Sequence, residues 1–151
     1  MAELSDITSR HDAAIAAMAK RRTGKYDRPV VVVSDLGKSK NLEEERSVFN
    51  AIGLTLACKF ETGEWDYEFC DCVANDLWWL MLDRLDAPHG EKISLAETMS
   101  NVFFAFDDGE YRRPGDPKDL DPIAFYTVPE IKRILSQHTE SKSEESINGQ
   151  V

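Results

Sequence analysis

Cysteine is scarce and unpatterned in this chain, with Cys58, Cys70 and Cys72 its complete set. An odd number without framework spacing argues against a disulfide scaffold. On a helix, the Cys-x-Cys pair would hold its thiols about 200° apart, so they could share neither a bond nor a metal. Positive charge is also short: 18 Lys and Arg stand against 28 Asp and Glu, for a net charge of −10. That balance repels a phosphate backbone. The basic clusters, Lys20-Arg21-Arg22 and Arg112-Arg113, fall where helices end, the side that favours cations. No apolar run approaches membrane-spanning length, and the N-terminus lacks a charged-then-apolar signal pattern. The expectation is a soluble, reduced, cytoplasmic protein that binds neither nucleic acid nor membrane.

Catalytic patterns are sparse as well. Gly37-Lys38-Ser39 follows a valine run, but Val32 stands where a phosphate-binding loop needs its first glycine. His11, His89 and His138 lie in separate segments without ligand spacing or a local nucleophile. His11 falls on the apolar face of the first helix, where an imidazole satisfied within the core is expected.

What the chain does have is helical period. At 151 residues it can bury one real core. Residues 5–21 read as a helix, with Ile7, Ile15 and Met18 in its stripe. Pro29 to Ser34 is a β-branched run and a strand candidate. From Leu42 to Phe60, Leu42, Phe49, Ile52, Leu56 and Phe60 fit a helix capped by Asn41, with Glu43–Glu45 at its positive end. Leu54, Leu56, Cys58 and Phe60 also alternate at strand period, and Gly53 could then end a shorter helix. The helix is favoured because only Thr55 is β-branched there. The next helix starts near Asp66 and runs to 85. It is acidic at first and then apolar nearly all round, so it is expected at the centre of a bundle or in an interface. Ser94-x-x-Glu97 predicts a capping box before Leu95, Met99, Val102 and Phe106, and Thr127-x-x-Glu130, with Pro129, another before Ile131, Ile134 and Leu135. Residues 112–122 form a long loop.

The expected fold is mainly α, a compact bundle of about five helices with at most one short strand. The alternative is α+β, with strands near 30–34 and 54–60. One domain covers 1–138, and 139–151 is a polar, disordered tail. The expected core is Ile15, Met18, Phe49, Ile52, Phe69, Val73, Leu77, Leu80, Leu95, Met99, Val102, Phe106, Ile131, Ile134 and Leu135.

Two functions compete. Trp78 and Trp79 point about 100° apart on one helix, and Phe103 and Phe104 do the same on the next. If one of each pair serves the core, the other reaches a second surface. With the negative charge, this suggests a non-catalytic protein-binding or regulatory module, inhibiting a basic partner or pairing as a homodimer, with no cofactor. The other reading is a Mg²⁺-dependent enzyme. Glu64, Glu68 and Asp71 share a helical face, and Glu44 and Glu45 lie on the helix before, so Glu45, Glu64, Glu68 and Asp71 are the candidate ligands. Glu68-Phe-Cys-Asp71 ahead of an apolar helix, and after an acidic one, resembles the second half of the all-α nucleotide pyrophosphohydrolases, the MazG-like group. That resemblance covers 42–85 and implies Mg²⁺ held against a nucleoside triphosphate. The chain departs from it at Glu43, Glu44 and Glu45, which are contiguous where the family has Glu-x-x-Glu. Asp76, inside the apolar stretch, must be hydrogen-bonded or have its acidity shifted. Arg84 or a neighbouring helix is its expected partner.

Overall fold

The computed structural model describes residues 4–22, 29–85 and 95–148. Among them are five helices: α1 (Leu4–Arg21), α2 (Leu42–Glu61), α3 (Tyr67–Arg84), α4 (Glu97–Asp107) and α5 (Val128–Asn148). A 3₁₀ turn spans Val33–Leu36 and a π turn Ile123–Thr127, and no strand is present among the described residues. The mainly α expectation holds. The α+β alternative does not.

The rod at the centre is α2 rather than α3. Its principal neighbours are α1, α3, α4 and α5, whereas those of α3 are α2 and α4. Gly53 allows this. A Cβ there would lie 3.0 Å from Met99 Cα and 3.1 Å from Met99 Sδ, so α4 crosses α2 almost backbone to backbone. The glycine that could have ended the helix instead sits inside it, at a propensity cost of about 1 kcal/mol. Asn41 caps α2 by accepting the Glu44 N–H at 2.8 Å, and Asp66 caps α3 by accepting that of Phe69 at 2.9 Å. Each cap contributes about 1 kcal/mol.

Of the expected core, Met18, Phe49, Ile52, Phe69, Val73, Leu77, Met99, Val102, Phe106, Ile131 and Ile134 are buried. Ile15, Leu80, Leu95 and Leu135 are half-buried against them. Trp65, Leu36 and Met81, outside that set, are fully buried too.

The capping box predicted from Ser94 involves a residue outside the described ones. The first helical residue of α4 is Glu97, preceded by Ala96. Asn50, on α2, accepts the Met99 N–H in the first turn of α4 at 3.2 Å. The capping box predicted at Thr127 gives way to a cap built otherwise. Helical turns begin earlier, where Asp121 accepts the N–H groups of Ile123 at 3.0 Å and Ala124 at 3.4 Å, with Pro122 in the first turn. The π turn ends one residue before Val128–Pro129, and Pro129 has no N–H to donate to the turn behind it. Thr127 faces inward, buried, and donates to Ala105 O at 2.7 Å. Beyond Thr139, α5 continues as helix to Asn148.

The valine run is the largest departure. A strand there would need a neighbour's ladder; side chains supply the partners instead. Asp76 accepts the N–H of Val30 at 2.6 Å and of Val31 at 3.1 Å. Asp35 accepts that of Val32, and Arg21 donates to Val30 O at 2.8 Å. Arg84 reaches Val33 O and Gly37 O, and Arg10 reaches Leu36 O. With its backbone satisfied in this way, the segment docks as irregular chain and buries Val30, Val31 and Leu36.

Candidate functional surface and buried charge cluster

Helices α3 and α4 pack antiparallel. Tyr67, at the start of α3, donates its hydroxyl to Phe106 O near the end of α4 at 2.6 Å. Further along, Trp78 stacks on Phe103 with ring centroids 4.4 Å apart and meets Phe104 edge-on at 5.3 Å. Phe103 is buried, Trp78 half-buried, and Phe104 50% exposed. Trp79, turned 100° from Trp78, is 69% exposed. The paired aromatics thus divide between core and surface as their spacing requires. Expected to be enclosed, α3 instead leaves one flank open, because α2 occupies the centre.

Acidic residues surround this open face. Asp83 lies one turn beyond Trp79, and Asp107 and Asp108 one turn beyond Phe104. Glu97 lies two turns before Phe104 on the same stripe. All four are exposed; Asp108 is paired with Arg113 at 3.3 Å.

The four carboxylates expected to bind metal are not brought together. Glu45 is in the first turn of α2, and Glu64 follows its last. About 24 Å of helix separates the two ends. Because α3 folds back antiparallel, Glu68 and Asp71 sit at the far end from Glu45, which meets Arg84 from the end of α3 instead. Glu64 is exposed and pairs with Lys59 at 3.0 Å; Glu68 is exposed; Asp71 accepts from Asn75. Among the described residues, no three His, Cys, Asp or Glu side chains are grouped to hold a metal.

Glu44 and Glu45, each 3% exposed, anchor a different cluster that sequence reasoning missed. Arg10 reaches Glu44 at 3.2 Å and Glu45 at 3.4 Å, and Arg84 reaches Glu45 at 3.0 Å. Ser39 bonds both Arg10 and Glu45, and Glu44 accepts the Lys40 N–H at 3.2 Å. Two cations offset two anions, and no buried side-chain nitrogen or oxygen among the described residues lacks a partner. The cluster ties α1, α2 and α3 to residues 33–40. Its hydrogen-bonding capacity is spent on the fold. The available signal was the run of three glutamates, Glu43, Glu44 and Glu45, in the first turn of α2, of which two are buried.

Asp76 belongs to the same scaffold, bound to backbone N–H groups rather than to Arg84. So does Asp35. Burial alone would raise the pKa of Asp35, but the Arg21 guanidinium and the Val32 N–H outweigh it and hold the carboxyl below its ordinary 3.8. The stability it contributes is therefore complete above that value and is lost as pH falls through its lower, folded value. The thermal unfolding midpoint of Asp35→Asn should fall less on moving from pH 5 to pH 3 than that of the parent chain, as followed by circular dichroism. Equal shifts would count against the pairing.

Cys70 is buried, and burial, then Asp66 and Asp71, push its thiol up to about 12. Cys58 is exposed and Cys72 half-buried. His11 bonds Asp12 and Thr55. His138 is half-buried on α5, and His89 lies outside the described residues. No described helix is long and apolar enough to cross a membrane.

No protein-family model, no curated protein and no solved structure matches this chain.

Proposed function

We propose that this protein is a non-catalytic binding module that docks a basic protein partner on the open face of α3 and α4. The observation that carries the proposal is Trp79, a large aromatic 69% exposed, next along α3 to Trp78, which packs on Phe103 and Phe104. Tryptophan is among the residues enriched as interface anchors. The acidic rim of Asp83, Glu97, Asp107 and Asp108 favours a partner that places Lys or Arg around an apolar contact. It disfavours a second copy, because two such faces would oppose like charges. The binding step needs neither cofactor nor metal.

The test uses two synthetic amphipathic peptides, one built from Leu and Lys at helical spacing and one from Leu and Glu. The lysine peptide should bind with a blue shift in tryptophan emission and weaken with salt; the glutamate peptide should not bind. Trp79→Ala and Phe104→Ala should each weaken the lysine peptide by about tenfold or more while leaving the thermal midpoint nearly unchanged. Equal binding by parent and variants would mean that charge alone attracts the peptide, and the proposal fails. A dimer dispersed by Trp79→Ala in sedimentation would assign the face to self-association instead.

A further inference from the structure

On the opposite flank of α2, where α1 and α5 approach it, lies a cleft of about 540 Å³. Its volume is within the range of small-molecule sites, about 300–1,000 Å³. The cleft differs in its charge from three others among the described residues. Those are lined by Glu61, Lys132 and Glu140, by Lys38, Lys40, Glu45 and Arg84, or by Glu97. Among the described residues, this one is lined by no Lys, Arg, Asp or Glu. In a chain with 30% charged residues, such a wall selects against ions, which would enter without a counter-charge.

Four of its polar groups, Asn50, Ser47, His11 and Thr55, have definite roles. The Asn50 side-chain oxygen is committed to the Met99 N–H at 3.2 Å, which leaves its amide N–H groups as donors. Ser47 donates to Glu43 O at 3.0 Å, so its lone pairs remain as acceptors. His11 Nδ1 lies 2.9 Å from Asp12 Oδ1, and its Nε2 lies 2.7 Å from Thr55 Oγ1. With the carboxylate accepting from Nδ1–H, Nε2 of the neutral ring accepts the Thr55 proton, and Thr55 can offer only an acceptor to a ligand. Ile7, Ala51 and Leu54 supply the apolar surface.

We infer that this cleft binds a small uncharged molecule carrying a carboxamide or lactam on an apolar ring. The ligand's carbonyl would take the Asn50 amide, its N–H the oxygens of Thr55 or Ser47, and its ring would lie on Ala51 and Leu54. This stands apart from the partner face, since none of its residues belongs to that surface.

Nicotinamide and nicotinate test it directly, as one ring carrying either a neutral amide or an anion. In NMR titrations of the full chain at pH 8, nicotinamide should shift the signals of Asn50, Thr55 and His11 with about millimolar affinity. Nicotinate should bind at least about tenfold more weakly. Thr55→Val and Ser47→Ala, with dispersed spectra showing intact folds, should each weaken nicotinamide several-fold, and Ala51→Leu should abolish the shifts by filling the cleft. The inference is overturned if nicotinamide leaves those signals unmoved, if nicotinate binds equally well, or if neither hydroxyl variant changes affinity.

Discussion

Replacing Arg84 with methionine is expected to destabilise the protein by about 3–5 kcal/mol. The midpoint of a urea transition followed by far-UV circular dichroism should fall while its slope stays constant. The size follows from what the guanidinium leaves behind. Glu45 sits in the first turn of the central helix at 4% side-chain exposure, and Arg84 is its closest ion-pair partner at 3.0 Å. Removing one member of a buried pair strands the other charge away from water, and that penalty exceeds the net worth of the intact pair. Arg84 also donates to Gly37 O at 3.0 Å and Val33 O at 3.2 Å, so residues 33–37 lose their tie to α3 in the same step. Arg10 and Ser39 still hold the other Glu45 oxygen, which places the loss toward the lower end of the range.

Lysine should not restore the lost stability. Its ammonium is a single point, while Arg84 spreads across three acceptors on two different segments. The double variant Arg84→Met/Glu45→Leu should be more stable than the two single losses summed, by about 1–3 kcal/mol, because neither charge is then left alone. A loss below about 1 kcal/mol for Arg84→Met would show that the pair is as weak as an exposed one and that the cluster does not organise the 29–41 segment.

Helical period was legible in the sequence, and so was the Asn41 cap, which bonds its own first turn. The expected core positions fall inside or against the core. Asp66 was legible only as the start of its helix, and it proves to be the cap as well. What could not be read was every element whose polar groups are satisfied from a distance. The valine run has the composition of a strand, yet Asp76, Asp35, Arg21 and Arg84 reach it from α1, α3 and its own turn. The start of α4 is capped from α2 by Asn50, 49 residues away in sequence. The Asp121-Pro122 pair was a local signal that was overlooked, because Thr127 and Pro129 suggested a later start. On the surface, spacing correctly separated Trp78 from Trp79 and Phe103 from Phe104. It could not say which flank of α3 stays open. That depended on Gly53 drawing α4 onto α2, a close approach with no periodic signature.

A single methyl group at Gly109 should have the second large effect. Gly109 is buried just past the end of α4, and a Cβ there would overlap Thr127 Oγ1 and come within 3.1 Å of both the Tyr67 ring and its hydroxyl. Those two side chains bond carbonyls in the last turn of α4. Thr127 donates to Ala105 O at 2.7 Å, and Tyr67 donates to Phe106 O at 2.6 Å. Gly109→Ala must therefore either push Thr127 off its acceptor in a buried site or shift the turn that leads out of α4. Either route costs about 1–3 kcal/mol, and the loss is expected in that range. Thr127→Ala alone removes one hydrogen bond and should cost about 1–2 kcal/mol. Combined, the two substitutions should cost less than their sum by at least about 1 kcal/mol, because alanine at 127 vacates the space that the new methyl needs. Strict additivity in thermal or urea unfolding would mean that the turn yields without meeting Thr127, and that the packing of α5 against α4 does not depend on a bare backbone at this corner.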